Sequence, residues 1–375
     1  MYTVLTGQKK NIGDFIITQR CRVLLKHHRP DRNLFQLPHW ESLEDNLDRI
    51  NQGKALIIMG GPGYQPGFYP HVYKFTKDIN KIKVPVIPMG LGWKGAYGSY
   101  SELDSYRFTS SSLELLKRIS SQSQFLGCRD YFSVEVLKRH GIENGLMTGC
   151  PVWYHLDSIG KKMSLPHEIK KVVFTPAQKH ILQKQSITVM ETLAELFPEA
   201  KLYCSFHRGL KADDEFTPSK DEKNNRLLQQ KALENGFEVV DTSFNLDRIK
   251  FYDNCDLHVG YRVHGHLYFL SKRKPSFLIH EDGRGTGVSQ ALNLKGVEAF
   301  EKGPGVLARE YIKMNFFDRI IRKLPCNYQI NPYTVKILKD YISQELESNF
   351  ARFRGFGEII DAYYPIMIKF IKSLP

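Results

Sequence analysis

The stretch Asp256-Leu257-His258-Val259-Gly260-Tyr261-Arg262-Val263-His264-Gly265-His266 sets the reading of the whole chain. Residues 256–260 form an apolar run of strand length, and the apolar segment 264–271 has helical length, so a strand runs directly into a helix. In an open parallel sheet, ligands bind where the carboxyl end of a strand meets the amino end of the next helix. Arg262 offers a guanidinium fork, His264 an imidazole, and the helix start its free N–H groups; a phosphate or a carboxylate satisfies all three. Gly265 lets a ligand or a neighbouring backbone approach closely. The same residues also suit a structural ion pair and a core histidine, and spacing alone leaves both readings open.

Outward from this junction the alternation repeats. Strands are predicted at 171–175, 201–206, 238–241 and 275–279, with helices at 183–197, 224–235, 246–254 and 286–292. An earlier series has strands at 2–5, 34–37, 55–59, 84–89, 124–128 and 146–148 and helices at 15–26, 113–121 and 133–140. This order predicts an α/β protein with mostly parallel sheets covered by crossover helices. Gly160, Lys161, Lys162 and Pro166 break the pattern, so a linker is expected at 157–168. It separates a Rossmann-like unit at 1–156 from a second at 169–330, followed by C-terminal helices at 331–375 that are expected to pack back on the first unit. With 375 residues, 42% of them hydrophobic, the chain is long enough for two cores facing a cleft. The polar stretch 213–225 is predicted to be a solvated loop.

The formal charge of +13 favours acidic partners. No basic and aromatic recognition motif accompanies it, which sets nucleic acid aside. The six cysteines, at 21, 128, 150, 204, 255 and 326, form no Cys-x-x-Cys pair, so neither a zinc ribbon nor a disulfide scaffold is expected. A reducing, cytoplasmic setting follows, with no metal and no cofactor. No apolar run reaches about 18 residues. The segment 350–375 mixes aromatic and aliphatic residues with Arg352, Arg354, Lys369 and Lys372. It reads as a helix lying on the inner face of an anionic membrane or, preferably, as a terminal helix packed on the protein.

Other loops at predicted strand ends complete the candidate site. Residues 7–14, with Asn11, Gly13 and Asp14, open the first helix. Gly60-Gly61-Pro62-Gly63 and Gly90-Leu91-Gly92-Trp93 would give a floor bare of side chains, suited to a sugar-sized ligand. His280-Glu281-Asp282-Gly283-Arg284 lies beside the Arg262 junction, with Glu281 or Asp282 for acid–base work and Arg284 as a second anion contact. Lys179 and Arg208 stand at the ends of two further strands as secondary anion contacts.

Taken in order, Asn11-Ile12-Gly13-Asp14, Gly60-Gly61-Pro62-Gly63, Gly90-Leu91-Gly92, Arg129-Asp130 with Ser133 and Leu137, Thr148-Gly149-Cys150-Pro151 and Arg262-Val263-His264-Gly265 resemble the polysaccharide pyruvyltransferases. The resemblance extends over about residues 1–295. It implies a GT-B-like fold, phosphoenolpyruvate as donor, and a sugar of a cell-surface polysaccharide such as a capsule or exopolysaccharide, or its lipid-linked oligosaccharide precursor, as acceptor. The product would be a pyruvate ketal. It places the donor on Arg262 and His264, whose segment also holds Val263 and Gly265, and the acceptor on the first unit, whose loops offer Asn11, Gly13, Asp14, Gly61, Gly63, Gly90 and Gly92. His264, Asp14, Glu281 and Asp282 are the candidates for acid and base. One position departs from the family pattern. An arginine is common at the end of the second unit's first strand, where this chain has Gln178-Lys179, so Lys179, Arg208 or Arg284 takes its role or the donor differs. Two rival readings are a sugar-nucleotide-dependent glycosyltransferase of the same architecture and a noncatalytic binder of anionic glycans.

Overall fold

In the computed structural model, residues 1–95, 100–212, 217–302 and 328–375 are described. The first unit is built on β1 (Tyr2–Thr6), β2 (Leu34–Pro38), β3 (Ala55–Met59) and β4 (Val86–Met89), in the parallel order β2-β1-β3-β4. A parallel pair, β5 (Leu126–Cys128) and β6 (Gly145–Met147), continues it through a bridge between Leu91 and Cys128. Its helices are α1 (Ile12–His28), α2 (Leu47–Asn51), α3 (Tyr100–Ser105), α4 (Ser110–Ser121) and α5 (Tyr131–Lys138). β1 and β3 are buried along their whole length, which is why they read as continuous apolar runs rather than as alternating ones.

The second unit is a six-stranded parallel sheet, β12-β11-β10-β7-β8-β9. Its strands are β7 (Lys171–Thr175), β8 (Lys201–Phe206), β9 (Phe237–Asp241), β10 (Leu257–Gly260), β11 (Ser276–His280) and β12 (Val297–Glu298), with a small antiparallel pair of β13 (Phe300–Lys302) and β14 (Tyr328–Ile330). Helices α6 (Gln183–Leu196), α7 (Ser219–Glu234), α8 (Val263–Ser271) and α9 (Gly283–Ala291) cover it, and α10 (Thr334–Glu347) and α11 (Phe356–Lys372) end the chain.

Three expectations need correction. The stretch 213–225 is helical from Ser219 onward, because Asp221 and Glu222 sit in the first turn of α7 and favour its positive end; residues 213–216 lie outside the described residues. Segment 246–254 coils as a 3-10 helix, not an α-helix. Finally, α10 does not return to the first unit: it packs on α6, β11 and β12. Only α11 lies against both α1 and α8, with Phe356, Ile360, Met367, Phe370 and Ile371 buried, so its apolar stripe serves the protein interior. Part of the unit expected at 169–330, residues 303–327, lies outside the described residues.

The two units share a core. Ile16, Ile17 and Leu24 of α1 belong to the same buried cluster as Leu267 and Leu270 of α8, and α1 and α8 are in direct contact. This apolar seam opposes independent motion of the units and fixes the loops on either side of it. Among the described residues, no helix is long and apolar enough to cross a membrane.

Candidate active site

A cleft of about 400 Å³ opens at the carboxyl ends of β1, β3, β7, β10 and β11, where the two sheets face one another. Asn11, Gly13, Asp14, Gly61 and Gly63 line it from the first unit, and Arg208, Arg262, Val263, His264, Glu281 and Arg284 from the second. These eleven come from loops far apart in sequence, brought together because strands of both parallel sheets end on one side.

Arg262 is the junction between the units. Its Nη1 donates to Gln178 Oε1 at 3.1 Å and its Nη2 to Asn11 Oδ1 at 3.1 Å. Both acceptors are neutral amides, so the guanidinium is aimed without being neutralised. Burial pushes its pKa down to about 10, against the pull of Glu281, which leaves it cationic at neutral pH. Immediately after it, α8 begins with no side-chain cap, and its first intrahelical bond of this kind runs from His266 N to Arg262 O. The start of α9 is closed by comparison: Asp282 accepts from Arg284 N, and Gly283 N donates to Gly95 O.

His264 packs against Gly13: a Cβ on Gly13 would lie 2.7 Å from its Nδ1. Its Nε2 is buried and makes no hydrogen bond. Burial, followed by the positive field of Arg129, Arg284 and Arg262, holds the imidazole well below its usual pKa. His264 is therefore a neutral group at the cleft and not a third cation. Asp14 has the opposite perturbation. Burial raises its pKa, although Asn11 Nδ2 donates to its Oδ2 at 3.1 Å and Arg208 and Arg262 oppose the rise. A carboxyl so placed keeps its proton more readily than an ordinary aspartate.

Glu281 also faces the cleft, where its Oε1 accepts from Gln178 N at 3.2 Å. Arg284 spends its Nε and Nη2 on Asp282, at 2.8 and 2.7 Å. Burial works against the charge on Asp282, but Arg284, with help from Lys179 and Lys94, overcomes it and holds the carboxyl well below the usual range.

Five sequence candidates fall outside the cleft lining. Asp282 is a helix cap and the partner of Arg284, too firmly ionised to supply a proton. Lys179 turns away, its Nζ donating to Glu281 O at 3.0 Å, and burial pushes its pKa down to about 8. Gly90 serves packing: a Cβ there would stand 2.4 Å from Pro151 Cδ. At Gly92 it would meet the Arg129 guanidinium at 2.2 Å. At Gly265 it would meet His258 Nε2 at 2.9 Å, so this glycine admits the histidines beneath α8 and not a ligand above it.

Several cleft residues carried no sequence signal strong enough to select them. Trp40 and His39 follow β2, Tyr73 belongs to a loop, and His207 directly follows β8. Lys94 follows the Gly90–Gly92 turn, and its position at a strand's carboxyl end was the available clue. Among the described residues, no group of three or more His, Cys, Asp or Glu side chains converges as a metal site. The five described cysteines, Cys21, Cys128, Cys150, Cys204 and Cys255, are buried free thiols.

Two facing parallel-sheet units with a cationic cleft at their seam define a GT-B-type protein. The fold is similar to that of UDP-GlcNAc 2-epimerase from Neisseria meningitidis bound to UDP-GlcNAc, at 10% identity over 98% of this chain and 99% of that one, with a TM-score of 0.51. It is also similar to S. aureus MnaA in its UDP co-structure, at 12% identity over 97% and 92% with a TM-score of 0.50, and to a putative UDP-N-acetylglucosamine 2-epimerase from Listeria monocytogenes, at 9% identity over 98% and 93% with a TM-score of 0.51. At such identities the likeness is one of fold. No curated protein matches the chain. Residues 11–282, more than half of the chain, match the polysaccharide pyruvyl transferase family, and the chain belongs to that family. Its activity is accordingly that of a transferase moving pyruvyl groups to polysaccharide.

Proposed function

We propose that the protein transfers pyruvate from phosphoenolpyruvate to two hydroxyls of one sugar, in a cell-surface polysaccharide or its lipid-linked precursor, and releases orthophosphate. The observation that carries this reading is Arg262: a cation held by two neutral amides at the uncapped start of α8, inside the cleft. Such a group is preorganised to receive an anion. Phosphoenolpyruvate brings a carboxylate and a phosphate, and the cleft lining includes the arginines Arg262 and Arg208.

The chemistry needs a proton for the donor's methylene carbon. Asp14 is the proposed source, since burial keeps it protonated more readily than usual. Protonation leaves an oxocarbenium-like carbon that the first sugar hydroxyl attacks; Glu281 is the cleft group suited to take the hydroxyl proton, and neutral His264 can orient the hydroxyl by accepting its hydrogen bond. A second hydroxyl then displaces phosphate and closes the ketal, its proton leaving with the phosphate. Gly61 is open on the first unit's side, with nothing within 4 Å of a Cβ built there, and is the proposed approach of the acceptor.

The test is thermal shift, followed by turnover. Stabilisation by phosphoenolpyruvate, lost in Arg262→Ala, and phosphate release dependent on an added glycan are expected. Stabilisation by nucleotide sugars and not by phosphoenolpyruvate would replace this reading with a glycosyltransferase. Glycan binding without phosphate release would replace it with a noncatalytic binder.

A further inference from the structure

At the end of β7, where the family resemblance implies an arginine, this chain has Gln178-Lys179. Gln178 does reach the cleft, but as an acceptor for Arg262, and the neighbouring Lys179 is turned onto the backbone of Glu281. Neither residue therefore brings a cation to the cleft from this strand end. Arg284 does not stand in for one, because two of its nitrogens are committed to the Asp282 carboxylate.

Lys94 lies in the same cleft and comes from the first unit. Its loop is tied across the seam, since Gly283 N at the start of α9 donates to Gly95 O at 3.1 Å. The ammonium is set among Arg284, Asp282, Arg208 and Glu281, and its ionisation reflects desolvation and these charges with no hydrogen bond to any of them. Its side chain stands exposed in the cleft; desolvation by the surrounding protein, then Arg284 and Arg208, lower its pKa against the opposing pull of Asp282 and Glu281. Arg262 is held by neutral groups. Arg262 thus offers a planar fork and Lys94 a compact point charge to the same cleft. A guanidinium matches a carboxylate or phosphate face, and an ammonium suits a phosphoryl group approached from any direction.

We propose that Lys94 holds the phosphoryl group of the donor and takes over from across the seam the charge that Gln178-Lys179 does not bring to the cleft. This rests on the phosphoenolpyruvate reading above. It assigns the two ends of the donor: phosphate towards Lys94, carboxylate towards Arg262 and the start of α8. It also makes the donor site complete only when both units are in place, because its phosphate contact belongs to the loop after β4.

The experiment uses the full chain with Lys94→Met, Lys94→Gln and Lys94→Arg, titrated with phosphoenolpyruvate, orthophosphate and pyruvate. In both neutral variants, phosphoenolpyruvate and orthophosphate are expected to bind about 10- to 100-fold more weakly, with pyruvate affinity unchanged. Lys94→Arg is expected to recover most of the loss, and the unliganded melting temperatures to stay together. Wild-type orthophosphate and phosphoenolpyruvate affinities in the neutral variants would overturn the proposal. A wild-type protein that fails to bind phosphoenolpyruvate sinks the donor reading instead; orthophosphate then judges Lys94, and equal or absent binding by wild type and variants overturns it too.

Discussion

Gly13→Ala isolates the placement of His264 from the stability of the fold. Gly13 is the second residue of α1, and an added Cβ would stand 2.7 Å from His264 Nδ1, 3.2 Å from His264 Cβ and 3.2 Å from Asn11 Nδ2. Carbon contacts normally begin at about 3.5 Å, so the imidazole or α1 must move by roughly 0.8 Å. Overpacking of this kind costs about 1–3 kcal/mol. Alanine returns up to about 1 kcal/mol through its helix propensity, leaving a net loss of about 0–3 kcal/mol. Turnover has no such compensation. A reacting group displaced by nearly 1 Å typically loses about 100-fold in rate. Orthophosphate release from phosphoenolpyruvate with an acceptor glycan is therefore expected to fall by about two orders of magnitude, while the melting temperature drops by only a few degrees. Wild-type turnover in Gly13→Ala would refute the role given to the Gly13–His264 contact. A collapse in melting temperature that tracks the loss of rate would refute the separation of packing from chemistry.

Further outcomes follow from the same geometry. Arg284→Ala leaves the buried Asp282 carboxylate without its partner and is expected to cost about 3 kcal/mol in chemical denaturation, with Asp282→Asn in the same chain recovering much of it; an unchanged midpoint for Arg284→Ala would count against the pair. Gly90→Ala combines a left-handed φ of 66° with a Pro151 clash at 2.4 Å, whereas Gly61→Ala has a φ of 84° and open space. Gly61→Ala should cost only about 1–2 kcal/mol and Gly90→Ala clearly more, and equal losses would show that packing at Gly90 is not tight. His258 is pushed down to about 3 by burial, between Thr175 Oγ1 and Ser276 Oγ. The unfolded imidazole takes its proton near pH 6.5 and the folded one only near 3, so its contribution is complete above pH 6.5 and is lost as pH falls. At pH 5 this amounts to about 2 kcal/mol, measurable by urea denaturation at pH 7 and 5; a His258→Gln protein with the same pH dependence as wild type would reject it.

The strands and most helices were legible because their signals are local. The buried strand β3 falls on the predicted residues, since a run with both faces covered must be apolar throughout. The segment Tyr261 to Gly265 was legible as a strand-to-helix junction for the same reason. Its side-chain assignments were not all legible, because a glycine looks the same in sequence whether it admits a ligand or a neighbouring side chain. Gly61 is open, while Gly90, Gly92 and Gly265 are filled by Pro151, Arg129 and His258.

The sequence by itself thus determined the α/β alternation, the parallel sheets and the family, all of which depend on residue order along the chain. Only the tertiary structure decided which charges remain unclaimed. Arg262 faces neutral amides contributed by residues 251 and 84 positions away, Arg284 is consumed by Asp282, His264 is kept neutral by burial and then by three arginines, and Lys94 arrives from the opposite unit. Electrostatic state depends on burial and on distances through space, and neither quantity is written in the spacing of residues along the chain.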